Sequence, residues 1–233
     1  VVMKAENINF SEDGVKEVYQ KIINILWNVC SFYKLYVPEE ILVTSEPVHV
    51  LDKWIVSKTN SLISAVSTAL DAYDTVTACH VISDFISDLS TWYVRRNRNR
   101  IKTDKLAQQT LGWVLVNLSK VMAPITPFIS ELIYQNIIGD GKSVHLTFWP
   151  KINVDSDVGL ENDMMFIRQL VEQIHAARKE NGIPVKQPLS KVTIYSDKNT
   201  ISPELEKVIC EEVNVKTVIW EASEKESRIA LDT

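Results

Sequence analysis

Residues 51–70, LDKWIVSKTNSLISAVSTAL, decide the fold. Leu51, Trp54, Ile55, Leu62, Ile63, Val66 and Leu70 recur there at three- and four-residue steps, the period of one face of an α-helix. The same period continues on both sides. Upstream, Val15, Val18, Ile22, Ile25, Leu26, Val29 and Phe32 predict a helix starting near Ser11. Ser11 suits an N-cap, and Glu12 and Asp13 favour the positive end of the helix dipole. Pro38 limits its end. Downstream, Ala78, Cys79, Ile82, Phe85, Ile86, Leu89, Trp92 and Tyr93 predict a helix from Asp74 or Thr75. Leu111, Val114, Leu115, Leu118 and Met122 predict another, from about Asp104 to Pro124. A shorter one opens after Thr126, with Pro127 in its first turn, and ends by Gly139. No fixed period of about 20–50 residues repeats, so the helices form a bundle and not a solenoid.

Beyond residue 140 the pattern changes. Residues 143–150, SVHLTFWP, read as extended along the bundle, and 151–159 as a polar linker. A helix follows over about 160–180, stopped by Asn181-Gly182. KVTIYS (191–196) and VKTVIWE (215–221) alternate like strands, and 202–213 between them read as a helix with Ser202 as N-cap. That order allows a small parallel pairing, but two strands are too few to stand alone. The fold class expected is mainly α: a helical bundle over 1–150, then over 151–233 a linker, a helix and the start of a small α/β element with partners partly beyond Thr233.

The composition of the 233 residues, 45% hydrophobic and 24% charged, is that of a globular chain. Six glycines and eight prolines argue against a sandwich, a barrel or a glycine-rich nucleotide fold. No apolar run reaches membrane-spanning length. Cys30, Cys79 and Cys210 are scattered and form no CxxC, which argues against disulfides and for an intracellular, cytoplasmic setting. The four histidines show no metal-ligand spacing. The opening VVMKAEN carries no signal peptide and reads as the cut edge of a longer protein.

No catalytic constellation is visible: no phosphate-cradling glycine loop, GxSxG or HExxH. Asp84 and Asp88 read as a solvated polar face. His80 reads as a partly exposed helix residue, and His145 as an edge residue. One segment departs from the background. The chain carries a net charge of −5, yet Arg95, Arg96, Arg98, Arg100, Lys102 and Lys105 against Asp104 give +5 within eleven residues. These side chains counter the dipole at a helix C-terminus, or contact phosphates through the planar guanidinium fork. Arg95 and Arg98 share a helix face, as do Arg96 and Arg100, and one pair is free to turn back to acids of a neighbouring helix. Trp92 and Tyr93, just before the run, can stack on unpaired bases, although periodicity places at least one of them in the core.

Eight segments in order resemble the isoleucyl-tRNA synthetases: 10–18 (FSEDGVKEV), 26–33 (LWNVCSFY), 51–63 (LDKWIVSKTNSLI), 88–100 (DLSTWYVRRNRNR), 122–137 (MAPITPFISELIYQNI), 143–150 (SVHLTFWP), 182–192 (GIPVKQPLSKV) and 211–218 (EEVNVKTV). The Arg-rich run and the KQPL segment resemble the isoleucyl branch more than the valyl or leucyl ones. The resemblance implies an α-helical anticodon-binding domain followed by the start of a C-terminal junction region. It implies tRNA-Ile as partner, through the anticodon stem-loop, together with the remaining domains of the parent synthetase. It implies ATP and magnesium for the full-length enzyme and no cofactor or catalytic residue here, because the HIGH and KMSKS segments and the editing domain lie outside this sequence. The residues it points to for tRNA are Arg95, Arg96, Arg98 and Arg100, with Lys102 and Lys186 as weaker contacts. The resemblance further implies Asn28 and Trp27 on the first helix as base-proximal residues, core packing being the alternative for Trp27, with Trp92 as a stacking residue. Other readings are a valyl-type anticodon domain, a helical protein-interaction module and, last, a self-contained metal-free enzyme.

Overall fold

The computed structural model describes residues 11–38, 43–44, 46–152, 156–196, 201–222 and 228–231. The VVMKAEN opening, part of the linker and the last two residues lie outside them. The chain forms two compact units, Val1–Asp157 and Val158–Thr233.

The first unit is helical. α1 (Glu12–Val18), a π turn (Tyr19–Ile23) and α2 (Asn24–Tyr36) run on without a break. Ser11 is the N-cap, accepting from the Gly14 N–H at 3.3 Å. Val15 and Val18, expected in the core, are exposed; the buried face of this helix begins only at Leu26 and continues through Val29, Cys30 and Tyr33. α3 (Val50–Asp71) buries Leu51, Trp54, Ile55, Leu62, Ile63 and Val66 as their spacing requires. α4 (Thr75–Asp88), a second π turn (Leu89–Val94) and α5 (Arg95–Ile101) form the next continuous helix, capped by Asp74. α6 (Lys105–Met122), capped by Asp104, is the central helix, buried on most of its surface. Its Gly112 sits where α2 crosses: a Cβ there would lie 2.6 Å from the Tyr33 hydroxyl. α7 (Pro127–Ile138) ends at Gly139 in the left-handed region, φ 66°.

Residues 143–150 are not extended throughout. Val144–Leu146 form a 3-10 turn held to α7 by Glu131, whose carboxylate accepts from the Val144 N–H (2.8 Å) and the Ser143 hydroxyl (2.9 Å). The bond from the Val144 N–H is the main cause holding the Glu131 carboxyl below its ordinary pKa. Asp88 also departs from expectation. It is buried and lies 3.5 Å from Lys58 of α3, while Asp84 stays exposed.

The second unit packs α8 (Val158–Glu180) and α9 (Pro203–Val213) with a three-stranded sheet. β1 (Leu189–Ser196) pairs in parallel with β2 (Val215–Ala222) from Leu189↔Val215 to Ser196↔Ala222. A third strand not foreseen from the sequence, β3 (Arg228–Leu231), pairs antiparallel with the other edge of β1. Arg178 on α8 is almost fully buried among carbonyls. Its guanidinium donates to Pro184 (3.1 Å), Gln187 (3.0 Å), Val213 (2.9 Å) and Asn214 (3.1 Å). One side chain thus ties the 184–187 loop to the turn between α9 and β2, and burial lowers its pKa.

Candidate nucleic-acid interface

The basic run owes its orientation to the π turn. In a continuous α-helix, Arg96 and Arg100 would prolong the buried line of Ile82, Phe85, Ile86 and Leu89. The π turn at Leu89–Val94 adds one residue, which rotates everything after it by about 100°. Asn97 and Ile101 therefore take the buried positions, and the arginines leave the core line.

Arg100 serves as the anchor of α5. Its guanidinium embraces the Asp52 carboxylate with both terminal nitrogens, Nη1 to Oδ2 at 2.8 Å and Nη2 to Oδ1, and reaches Asp104 at 3.2 Å. Asp52, in the first turn of α3, is fully buried and also accepts from the Tyr93 hydroxyl at 2.7 Å. Nε of Arg100 donates to Asn97 Oδ1 at 3.0 Å, and Asn97 in turn donates to the Tyr93 carbonyl at 2.9 Å. Burial works against the Arg100 charge, but the bonds and attraction from Asp52 prevail and its pKa is raised. Burial first, then the Asp52 charge, push the Tyr93 phenol well above its usual value. Arg100, expected to touch nucleic acid, is thus turned back to acidic neighbours. Of the two aromatics before the run, Tyr93 is the core residue, and Trp92 is half-buried.

Arg98 and Lys102, one helical turn apart, stand over aromatic rings of α2. The Arg98 guanidinium lies 5.8 Å from the Phe32 ring centre, and the Lys102 ammonium 4.9 Å from that of Tyr36. Those rings are themselves one turn apart and pack against each other at 5.0 Å. Both cations remain exposed, so the rings support them from below without neutralising them. Arg95 is exposed, with its Nε donating to the Thr91 carbonyl at 2.8 Å, and Arg96 is half-buried. Gln108 of α6 holds the base of this tip, donating to the Ile101 carbonyl at 2.9 Å.

The contacts of residue 32 with 98 and of 36 with 102 set a parallel register. Carried back one turn, that register sets Asn28 level with Val94, the last residue of the π turn. Asn28 is exposed, and so is Trp27, at 39%, so core packing does not account for this tryptophan. Lys186 is exposed in the second unit. Phe32, Tyr36, Asp52 and Asn97 were not singled out from sequence as site residues. The matched four-residue spacing of Phe32–Tyr36 and Arg98–Lys102 was the available signal for the first two. Asp52, a lone acid inside the apolar stripe of α3, was the signal for the anchor.

Among the described residues no group of three His, Cys, Asp or Glu side chains could hold a metal ion, and no helix is long and apolar enough to cross a membrane. Burial raises the pKa of all three thiols.

A helical bundle with one cationic, aromatic-backed tip defines the class, and the chain belongs to it: the family described as the anticodon-binding domain of tRNA ligase matches residues 52–194. Among curated proteins the chain is similar to isoleucine–tRNA ligases. It is 39% identical over 218 residues to that of Streptomyces coelicolor, covering 88% of this chain and 21% of the relative. It is 39% identical over 226 residues to that of Clostridium novyi, covering 90% and 22%, and 37% identical over 235 residues to that of Chlamydia trachomatis serovar L2, covering 94% and 22%. The chain spans about a fifth of the length of the curated relatives it matches.

Proposed function

We propose that this chain grips the anticodon stem-loop of tRNA-Ile as the anticodon-binding part of an isoleucine–tRNA ligase that works in the cytoplasm. The observation that carries the reading is the pair of exposed cations, Arg98 and Lys102, mounted on Phe32 and Tyr36 at the tip of a chain whose net charge is −5. Such a tip attracts phosphate locally, while the acidic remainder disfavours unspecific binding. Arg95, Arg96, Arg98 and Lys102 contact backbone phosphates and set the register; Asn28, Trp27 and Trp92 meet splayed bases, whose edges and faces are free in a loop. Arg100 acts through position, by fixing α5 against α3. Lys186 adds a contact from the second unit, and the division of labour falls near residue 150.

In the whole ligase, ATP and magnesium drive the joining of isoleucine to tRNA. They would be held by parts of the enzyme outside this chain, so isoleucine-dependent pyrophosphate exchange by this chain alone is expected to be nil. The reading is tested by titrating the purified chain into fluorescent anticodon stem-loops bearing isoleucine or valine anticodons. Tighter binding to the isoleucine loop is expected. A preference for the valine loop would move the chain to a valyl-type ligase. No binding to either would favour a protein-interaction module.

A further inference from the structure

We propose that a second site on the first unit, the groove between α6 and residues 148–151, takes one unpaired RNA nucleotide; this rests on the reading of the chain as an RNA binder. The groove has a volume of about 420 Å³. Its walls include three aromatic rings, Trp113, Phe148 and Trp149, beside Asn117, Lys120 and Lys151, and none of its described lining residues is a carboxylate. Among the described residues neither lysine's ammonium group makes an ion pair or a hydrogen bond. Phe148 is 89% exposed, its ring offered to solvent.

The walls are built, not incidental. The Trp149 indole N–H donates to the Ser67 hydroxyl of α3 at 2.9 Å, which fixes that ring. Asn117 donates to the Trp113 carbonyl at 2.8 Å. Glu131 pins the turn that leads into the segment. Planar rings call for a planar partner, and two unpaired ammonium groups call for an anion. A nucleotide is both, with its base stacked on the rings and its phosphate between Lys120 and Lys151. A purely apolar partner would leave both lysines uncompensated.

The groove also lies where the same RNA can reach it. Leu106, Gln109, Trp113, Asn117 and Lys120 recur at three- and four-residue steps along α6, which starts beside the basic run. At 1.5 Å per residue, Trp113 and Lys120 lie about 12 and 22 Å along α6 from Lys105.

The test titrates the full 233-residue chain with a fluorescein-labelled isoleucine anticodon stem-loop at two salt concentrations, alongside three variants checked for native circular dichroism. Phe148→Ala is expected to weaken binding by about tenfold, the loss of one stacked base. Lys120→Ala/Lys151→Ala is expected to lower affinity and flatten the salt dependence. Arg95→Glu/Arg98→Glu reports on the helix tip separately. If the tip variant loses binding while both groove variants bind like wild type, the groove is no RNA site and the anticodon reading stands. If wild type binds no RNA, both fall together. Displacement of the RNA by an oligoglutamate peptide at equal charge, in wild type and not in the groove variants, would also overturn the proposal in favour of an acidic protein partner.

Discussion

Arg100 and Arg98 differ by two positions and by their whole environment. Arg100 closes a bidentate pair with a buried aspartate, and removing one partner leaves the other as an uncompensated buried charge. Arg100→Ala is therefore expected to cost about 3–5 kcal/mol in urea unfolding. Arg98 stands on one ring at the surface, and Arg98→Ala is expected to cost about 1 kcal/mol or less. Equal losses for the two would contradict the division between anchor and contact. The run was legible in the sequence because charge is countable along the chain. Which arginine folds inward was not, because the π turn that sets their rotation has no mark in residue identity. Trp27 shows the same limit: the sequence leaves it between base contact and core packing, and in the structure it is 39% exposed.

Helix ends were the most legible elements. Ser11, Asp74, Asp104 and Ser202 each accept a hydrogen bond from the first turn that follows, and Gly139 closes α7, because capping chemistry is local. Crossings are not local. Gly112 lies mid-helix, where Ala would ordinarily add about 1 kcal/mol of stability. The Tyr33 hydroxyl 2.6 Å from its missing Cβ reverses the sign. Gly112→Ala is expected to lower the thermal midpoint, and adding Tyr33→Phe should recover part of the loss. Burial pushes the Tyr33 phenol up to about 12. A pKa raised on folding leaves stability intact below about pH 10 and removes it as pH climbs toward 12. Urea melts at pH 9 and 11.5 should differ by about 2 kcal/mol more in wild type than in Tyr33→Phe.

At the scale of the molecule, the helices of the bundle were legible, since helical periods repeat within each element, but the burial of the first helix was not, its core face starting only at Leu26. The second unit was legible as strand–helix–strand, but its third strand was not: β3 is four residues long and shows no alternation to count. Arg178, which joins two turns through four carbonyls, was equally hidden because its partners are backbone atoms. Arg178→Gln is expected to speed hydrogen exchange in β1 and β2, and unchanged exchange there would remove it as the clamp. Arg95 and Arg98 at the helix tip, in contrast to Arg100, should affect RNA far more than stability. The most direct measurement is the affinity of the chain for an isoleucine anticodon stem-loop across a salt series, with and without Arg95→Glu/Arg98→Glu. The account predicts that the variant, still folded, binds more weakly and that the slope of log affinity against log salt falls by about 1 to 2. An unchanged affinity and slope would contradict it.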